Sequence, residues 1–146
     1  MAFTTTAQVR FAHVDPAGIV FYPRYFEMLN GAVEDWFARE LGMDFAMMHR
    51  DAHVTIPTVR IETEFLSPSR LGDTLDITII PRRIGRTSCD FTAEFSGDGR
   101  KRLRAQVVLV CVDLQSLKPT QWPDNLRAAI EAGVEEPAQV VPSDQA

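Results

Sequence analysis

The chain has 146 residues, 45% hydrophobic and 24% charged, with a formal net charge of −5. That composition excludes global disorder, and one domain is the expectation at this length. An acidic chain with a pI near 5.1 is no general nucleic-acid binder. No apolar run approaches the roughly 18 residues of a membrane span.

The first residues, MAFTTTAQVRF, lack a basic region followed by an apolar stretch, so no signal peptide is expected and the cytoplasm is the default compartment. Within residues 3–11, Phe3, Thr5, Ala7, Val9 and Phe11 alternate with polar partners, which predicts a strand with one buried face. Asp15-Pro16-Ala17-Gly18 breaks it with turn chemistry. From Tyr22 to Leu41 the period becomes helical: Tyr22, Phe26, Leu29, Val33, Trp36 or Phe37, and Leu41 recur on one side. Pro23 suits the first helical position and Gly42 the exit. Gly31 costs about 1 kcal/mol against Ala in mid-helix, and close packing on a sheet is the expected return.

A loop through His49 and His53 leads to an alternating strand, with Val59, Ile61, Thr63 and Phe65 on one face. Ser67-Pro68 and Leu71-Gly72-Asp73 punctuate before a strand over Leu75, Ile77 and Ile79, ending near Pro81. Cys89, Phe91, Ala93 and Phe95 mark a fourth strand, and Ser96-Gly97-Asp98-Gly99 a hairpin turn. The fifth strand runs from Arg102 to Leu114 and is apolar at every position from Val107 to Val112, as if covered on both faces. Trp122-Pro123-Asp124-Asn125 reads as the start of a short final helix ending near Glu131. Residues 1–132 are read as one domain, and the polar, Pro-containing residues 133–146 as a disordered tail.

The hairpin pairs Cys89 with about Val107, which leaves Cys89 and Cys111 too far out of register for a disulfide. His49 and His53 lack a third ligand, so no metal and no cofactor are expected. One strand, one long helix and four further strands make a sheet with a single helix to cover it. The doubly apolar strand and an open sheet edge then predict a homodimer.

The chemistry concentrates in Phe11 to Asn30, FAHVDPAGIVFYPRYFEMLN. It sets a carboxylate, Asp15, in a turn seven residues before a helix start. A helix N-terminus presents unpaired N–H groups and about half a positive charge, suited to an oxyanion formed in acyl transfer. A carboxylate beside it can attack a carbonyl or activate water, although an Asp in such a turn ordinarily only bonds its own backbone.

The segment resembles the signature D-P-A-G-I-V-[FWY]-Y-P-x-Y of the 4-hydroxybenzoyl-CoA thioesterase family. Asp15, Pro16, Ala17, Gly18, Ile19, Val20, Tyr22, Pro23 and Tyr25 match. Weaker matches are Pro57 with Val59, the Ser-Pro-x-x-x-Gly-Asp turn at Ser67–Asp73, and Gly-Arg-x-Ser at Gly85–Ser88. The resemblance implies an α+β hotdog fold, a curved five-stranded antiparallel sheet wrapped around one long helix, at least dimeric. It implies an acyl-CoA thioesterase in which Asp15 is nucleophile or water activator, the Tyr22 backbone N–H polarises the thioester carbonyl, and Gly18 allows close approach.

Seven of the fifteen cations lie between positions 82 and 104 against three acids, a local +4 that leaves −9 for the rest. The resemblance places Gly-Arg-x-Ser near the CoA phosphates, which points to Arg86 with Ser88 and then Arg83, ahead of Arg100, Lys101, Arg102 and Arg104. Tyr22, Phe26 and Asn30 share a helix face at steps of four, so Phe26 and Asn30 are acyl-pocket candidates. Related hydroxybenzoyl enzymes carry an acid near Asn30, whose amide hydrogen-bonds a hydroxyl without supplying charge. His13, two residues before Asp15, is a further substrate contact or simply a loop-edge histidine.

The expected reaction is hydrolysis of an aromatic acyl-CoA to acid and CoA by a homodimer or dimer of dimers. The alternatives are a short-chain thioesterase of the envelope-associated type, whose similar motif usually reads D-x-x-G-V-V-Y-H and is favoured less because of Phe21-Tyr22-Pro23 here, and a non-catalytic acyl-CoA-binding module. A hotdog dehydratase ranks lowest, since His13 and Asp15 are too close for its catalytic pair.

Overall fold

The computed structural model describes residues 2–135. Strand β1 (Phe3–Gln8) leads through a 3-10 turn (Phe11–His13) and a hairpin to helix α1 (Pro23–Arg39). A short helical segment, α2 (Phe45–Met47), runs on into a π-type turn over Met48–Ala52. Then come β2 (Val54–Thr55), β3 (Thr58–Phe65), β4 (Thr74–Ile84), β5 (Ser88–Gly97), β6 (Arg100–Val110), β7 (Val112–Asp113) and helix α3 (Asp124–Ala132). The main sheet is antiparallel, in the order β1-β4-β5-β6-β3, and β2 pairs with β7 separately.

Alternation places Leu75, Ile77 and Ile79 of β4, Phe91 and Phe95 of β5, and Leu103, Val107 and Leu109 of β6 in the core. Helix α1 lies against them: the Trp36 ring meets Phe91 at 5.7 Å and the Tyr25 ring meets Phe95 edge-on at 5.7 Å. The buried stripe of α1 is Tyr25, Met28, Leu29, Ala32, Val33, Trp36 and Phe37. This is rotated from the expected one. Tyr22 is 58% exposed and Phe26 half-buried, because Tyr25 between them is the residue that faces the sheet at Phe95.

Other expectations are corrected locally. Strand β1 stops at Gln8 and Phe11 is 82% exposed. The Arg10 N–H donates to His13 Nδ1 at 2.8 Å and the His13 N–H to the Arg10 carbonyl at 2.9 Å, a local turn that outcompetes the ladder. The expected fifth strand breaks at Cys111, whose N–H and carbonyl pair with Thr87 and Thr120, and the chain resumes as β7. The turn centres between Asp98 and Gly99, and a bulge at Phe95/Ser96 shifts the β5–β6 register by one more residue, so Cys89 faces Leu109 rather than Val107. Both cysteines are free and buried. Gly31 is not pressed against the sheet: a Cβ there would meet nothing within 4 Å.

Strand β3 is an edge. Ile61, Thr63 and Phe65 share the α1 side of the sheet, opposite Val107, Ala105 and Leu103, while a bulge at Thr58/Arg60 takes Val59 out of the alternation. Helix α1 touches Phe65 through the Tyr25 and Phe26 rings but leaves the edge partly uncovered, and Val59, Ile61 and Phe65 stay 39–58% exposed. Residues 133–135 continue from α3 back to β4, where the Glu135 N–H donates to the Pro81 carbonyl at 2.8 Å. The rest of the expected disordered tail, 136–146, lies outside the described residues. No helix of the described residues is long and apolar enough to cross a membrane.

Candidate active site

Residues 13–21 form a tight hairpin closed by the Val14–Val20 bridge and by the Phe21 N–H on the His13 carbonyl at 2.9 Å. Asp15 sits at its bend. One carboxylate oxygen, Oδ1, accepts the Ala17 N–H at 2.9 Å and the Ile19 N–H at 3.4 Å. These bonds fix the rotamer, and among the described residues none reaches Oδ2. Gly18 takes φ +79°, a left-handed conformation that a glycine adopts without strain, and this lets the four-residue bend close.

A second loop carries this hairpin. Residues 69–71 accept the Val20 N–H on the Ser69 carbonyl (2.9 Å) and donate the Leu71 N–H to the Gly18 carbonyl (3.0 Å), while Ile19 bridges Arg70. The loop is itself pinned from below. Arg102, 5% exposed, donates Nη1 to Asp73 Oδ2 (2.8 Å) and the Pro68 carbonyl (3.1 Å), and Nη2 to the Gly97 carbonyl (3.0 Å). Asp73 Oδ2 also takes the Arg70 N–H at 2.8 Å. That backbone bond first, and the Arg102 guanidinium second, hold the Asp73 carboxyl below its ordinary value. Arg102 is therefore a structural pin, which removes it from the phosphate-binding candidates.

Helix α1 starts immediately after the hairpin. Tyr22 is its cap residue, with φ −53° and ψ −35°, and Pro23 follows at the first helical position. The Arg24 and Tyr25 N–H groups are bonded to the carbonyls of Phe21 and Tyr22. The Tyr22 N–H has no acceptor among the described residues. A carboxylate oxygen and a backbone donor at a helix start, both unpartnered, thus stand on adjoining segments at one end of the sheet.

Beyond them a cavity of about 380 Å³ opens between α1 and the β3 edge, lined by Phe26, Leu29, Asn30, Val33, Ile61 and Phe91 among others. Phe26 and Asn30 come together there as the helical spacing predicts. A smaller space of about 210 Å³ continues past Asn30 and Val33 toward Met48 and His49. Phe65 completes the aromatic wall, its ring 6.2 Å from Tyr22 and 6.5 Å from Phe26. Sequence reasoning placed Phe65 only in a strand.

His13 goes elsewhere. Its Nδ1 is taken by Arg10, and it lines a different cleft of about 450 Å³ between β1 and α1, on the flank of the helix away from Asn30. The Gly85–Ser88 turn is more distant still, at the far end of β4. That strand is eleven residues long, about 33 Å of extended chain. There a Cβ on Gly85 would lie 2.9 Å from Ser88 Oγ, so a larger residue would turn the serine hydroxyl away. Arg127 Nη1 and Trp122 Nε1 pin the turn through the Gly85 and Ser88 carbonyls at 2.7 and 3.2 Å. Arg86 lines a recess of about 240 Å³ with Trp122 and Arg127, while Arg83 is exposed nearby. Within one chain, Arg83, Arg86 and Ser88 do not meet Asp15. Among the described residues no group of three or more His, Cys, Asp or Glu side chains is placed to hold a metal ion.

Comparison with known proteins agrees with this architecture. A 1,4-dihydroxy-2-naphthoyl-CoA hydrolase from Thermosynechococcus vestitus is 30% identical over 129 residues, 88% of each chain. The crystal structure of a 1,4-dihydroxy-2-naphthoyl-CoA thioesterase from Synechocystis superposes with a TM-score of 0.80 at 25% identity, covering 89% of this chain and 96% of that one. A thioesterase superfamily structure from Jannaschia sp. CCS1 gives 0.85 at 26% identity over 92% and 94%. The hotdog thioesterase fold is the one expected from the sequence. The model of the thioesterase-like superfamily matches residues 9–130, and the chain belongs to that superfamily.

Proposed function

We propose that this thioesterase hydrolyses an aromatic acyl-CoA of the hydroxybenzoyl or dihydroxynaphthoyl type to the carboxylic acid and CoA. The observation that carries the reading is that Asp15 Oδ2 and the Tyr22 N–H, on adjoining segments, both lack a protein partner among the described residues, while Phe26, one helical turn beyond Tyr22, lines an apolar cavity. The Tyr22 N–H donates to the thioester carbonyl and gains strength as the oxygen becomes an oxyanion. Asp15 either attacks the carbonyl carbon, expelling CoA thiolate and leaving a mixed anhydride for water to cleave, or takes the proton of an attacking water. The bend at Gly18 lets the thioester come close.

Helix α1 acts as a ruler for the acyl group. Phe26 lies one turn and Asn30 two turns beyond Tyr22, about 6 and 12 Å along the axis. A ring bound at the Tyr22 N–H therefore packs on Phe26 and brings a distal hydroxyl to the Asn30 amide. The relatives named for a dihydroxynaphthoyl thioester support an aromatic substrate.

The unit we propose is a homodimer, in which the sheet curves around α1 and two β3 edges pair about a two-fold axis. The exposed apolar face of β3 supports it. Antiparallel pairing reverses one sheet against the other, so Arg86 of the partner subunit comes to the end that holds Asp15. This reconciles Arg83, Arg86 and Ser88 as phosphate contacts with their distance from Asp15 in one chain. Two such dimers can assemble further. Residues 1–132 act as one domain, working on the cytoplasmic CoA pool.

Thiol release from benzoyl-CoA, 4-hydroxybenzoyl-CoA, 1,4-dihydroxy-2-naphthoyl-CoA and butyryl-CoA tests the reading. Aryl thioesters are expected to turn over faster than butyryl-CoA, and Asp15→Ala to lose turnover. Full turnover by Asp15→Ala would sink the role of Asp15. A preference for butyryl-CoA would favour the short-chain alternative, and tight binding without turnover the non-catalytic one.

A further inference from the structure

The proposed carboxylate and oxyanion donor sit on different elements, Asp15 on the hairpin and the Tyr22 N–H on the first turn of α1. Their separation has to be held to a fraction of an ångström for the reaction, and the joint between them is Phe21, whose carbonyl ties it to α1 by the backbone bond from the Arg24 N–H. The Phe21 N–H closes the hairpin base, and Tyr22 already has helical dihedrals. A change at that joint would swing α1 against the hairpin.

A buried pair of hydroxyls spans the joint. Tyr25 lies in the first turn of α1, 4% exposed, and its N–H is bonded to the Tyr22 carbonyl. Its phenol donates to Ser69 Oγ at 2.9 Å. Ser69 is fully buried, and its carbonyl accepts the Val20 N–H of the hairpin. One residue thus grips the hairpin through its backbone and the helix through its side chain. It sits on a loop that Arg102 fixes at Pro68 and Asp73. The Tyr25 ring packs on Phe95 and Phe65 as a phenylalanine would, so core packing does not call for the hydroxyl. Burying two hydroxyls is unfavourable unless they satisfy each other.

We propose that Tyr25 and Ser69 are a positioning pair that sets the distance between the Asp15 carboxylate and the Tyr22 N–H. The proposal rests on the roles given above to those two groups. Neither hydroxyl touches substrate; both act through the register of hairpin and helix.

The test measures benzoyl-CoA hydrolysis by Tyr25→Phe, Ser69→Ala, the double variant and Asp15→Ala, each with its melting temperature. Both singles are expected to lose about tenfold in kcat with KM within about twofold, because misplacement weakens the transition state and spares binding. The double variant is expected to be no slower than the slower single, since the pair acts as a unit. Parental kcat in folded Tyr25→Phe, beside an inactive Asp15→Ala, overturns the positioning role and leaves the site assignment standing. Losses that multiply in the double variant, or that appear in KM instead of kcat, overturn it as well. An Asp15→Ala protein with full turnover removes the site assignment and the positioning role together. Tyr25→Phe deletes a single atom from a packed ring and decides the matter alone if Ser69→Ala does not fold.

Discussion

Arg102→Met separates two roles that the sequence allows for one residue. As one of seven cations between positions 82 and 104, Arg102 would contact a CoA phosphate; in the structure it is 5% exposed and spends its guanidinium on Asp73 and the carbonyls of Pro68 and Gly97. Met keeps most of the apolar stem and removes the charge. Breaking a buried ion pair from one side costs about 3–5 kcal/mol. The lower end applies, because the Asp73 side chain is 22% exposed and keeps the Arg70 N–H. About 3 kcal/mol at this chain length lowers the melting temperature by about 10 °C. Thermal unfolding at one fixed protein concentration reads it, with kcat and KM for benzoyl-CoA taken well below the transition. The sign with pH follows from Asp73, whose carboxyl is held below its ordinary 3.8. Stability from that carboxylate is complete above the unfolded value and is lost as pH falls through the folded one. The gap between parent and variant is therefore full at pH 7 and narrows below about pH 4. A tenfold rise in KM with an unchanged melting temperature would refute the structural role and return Arg102 to the phosphate site.

Gly31→Ala should raise the melting temperature by about 3 °C, since it recovers about 1 kcal/mol of helix propensity and a Cβ there meets nothing within 4 Å; a fall would mean that α1 packs there on something else. Burial pushes the Cys89 thiol up to about 12 and the Cys111 thiol up to about 11, so both stay protonated at pH 8. Native protein should give no colour with an aromatic disulfide reagent and two equivalents on denaturation, and fast native reaction would contradict their burial. Val59→Lys puts a charge on the β3 edge and should shift sedimentation from dimer toward monomer at micromolar concentration. An unmoved dimer would place the interface elsewhere.

The periodic parts of this fold were legible because burial repeats with backbone geometry. Alternation located β3, β4 and β5, and helical spacing located α1 within about two residues. Alternation failed at Phe11, where a side chain-to-backbone bond from His13 offered the chain a local turn. Helical spacing also ranked Tyr22 above Tyr25 for burial, and the structure reverses them. Both residues are amphipathic aromatics at the edge of the stripe. What decides between them is which side of α1 meets the sheet: Tyr25 packs on Phe95 and reaches a serine forty-four residues along the chain, contacts that no local window contains.

The candidate site shows the same limit from another direction. Asp15, Gly18, Tyr22, Phe26 and Asn30 lie within sixteen residues, and local geometry alone brings them to one place. Arg86 and Ser88 were grouped with them by motif, and motif carries no distance. Strand β4 runs between the two groups, so a role for Arg86 at Asp15 has to reach along that eleven-residue strand or come from a second chain. The residues that hold the site in shape, Ser69, Asp73 and Arg102, were visible only as punctuation and charge. Their bonds link the loop between β3 and β4 to the start of β6, and that contact exists only once the sheet has assembled. The chemistry proposed for this protein is therefore local in sequence, while the positioning proposed for it rests on long-range pairs.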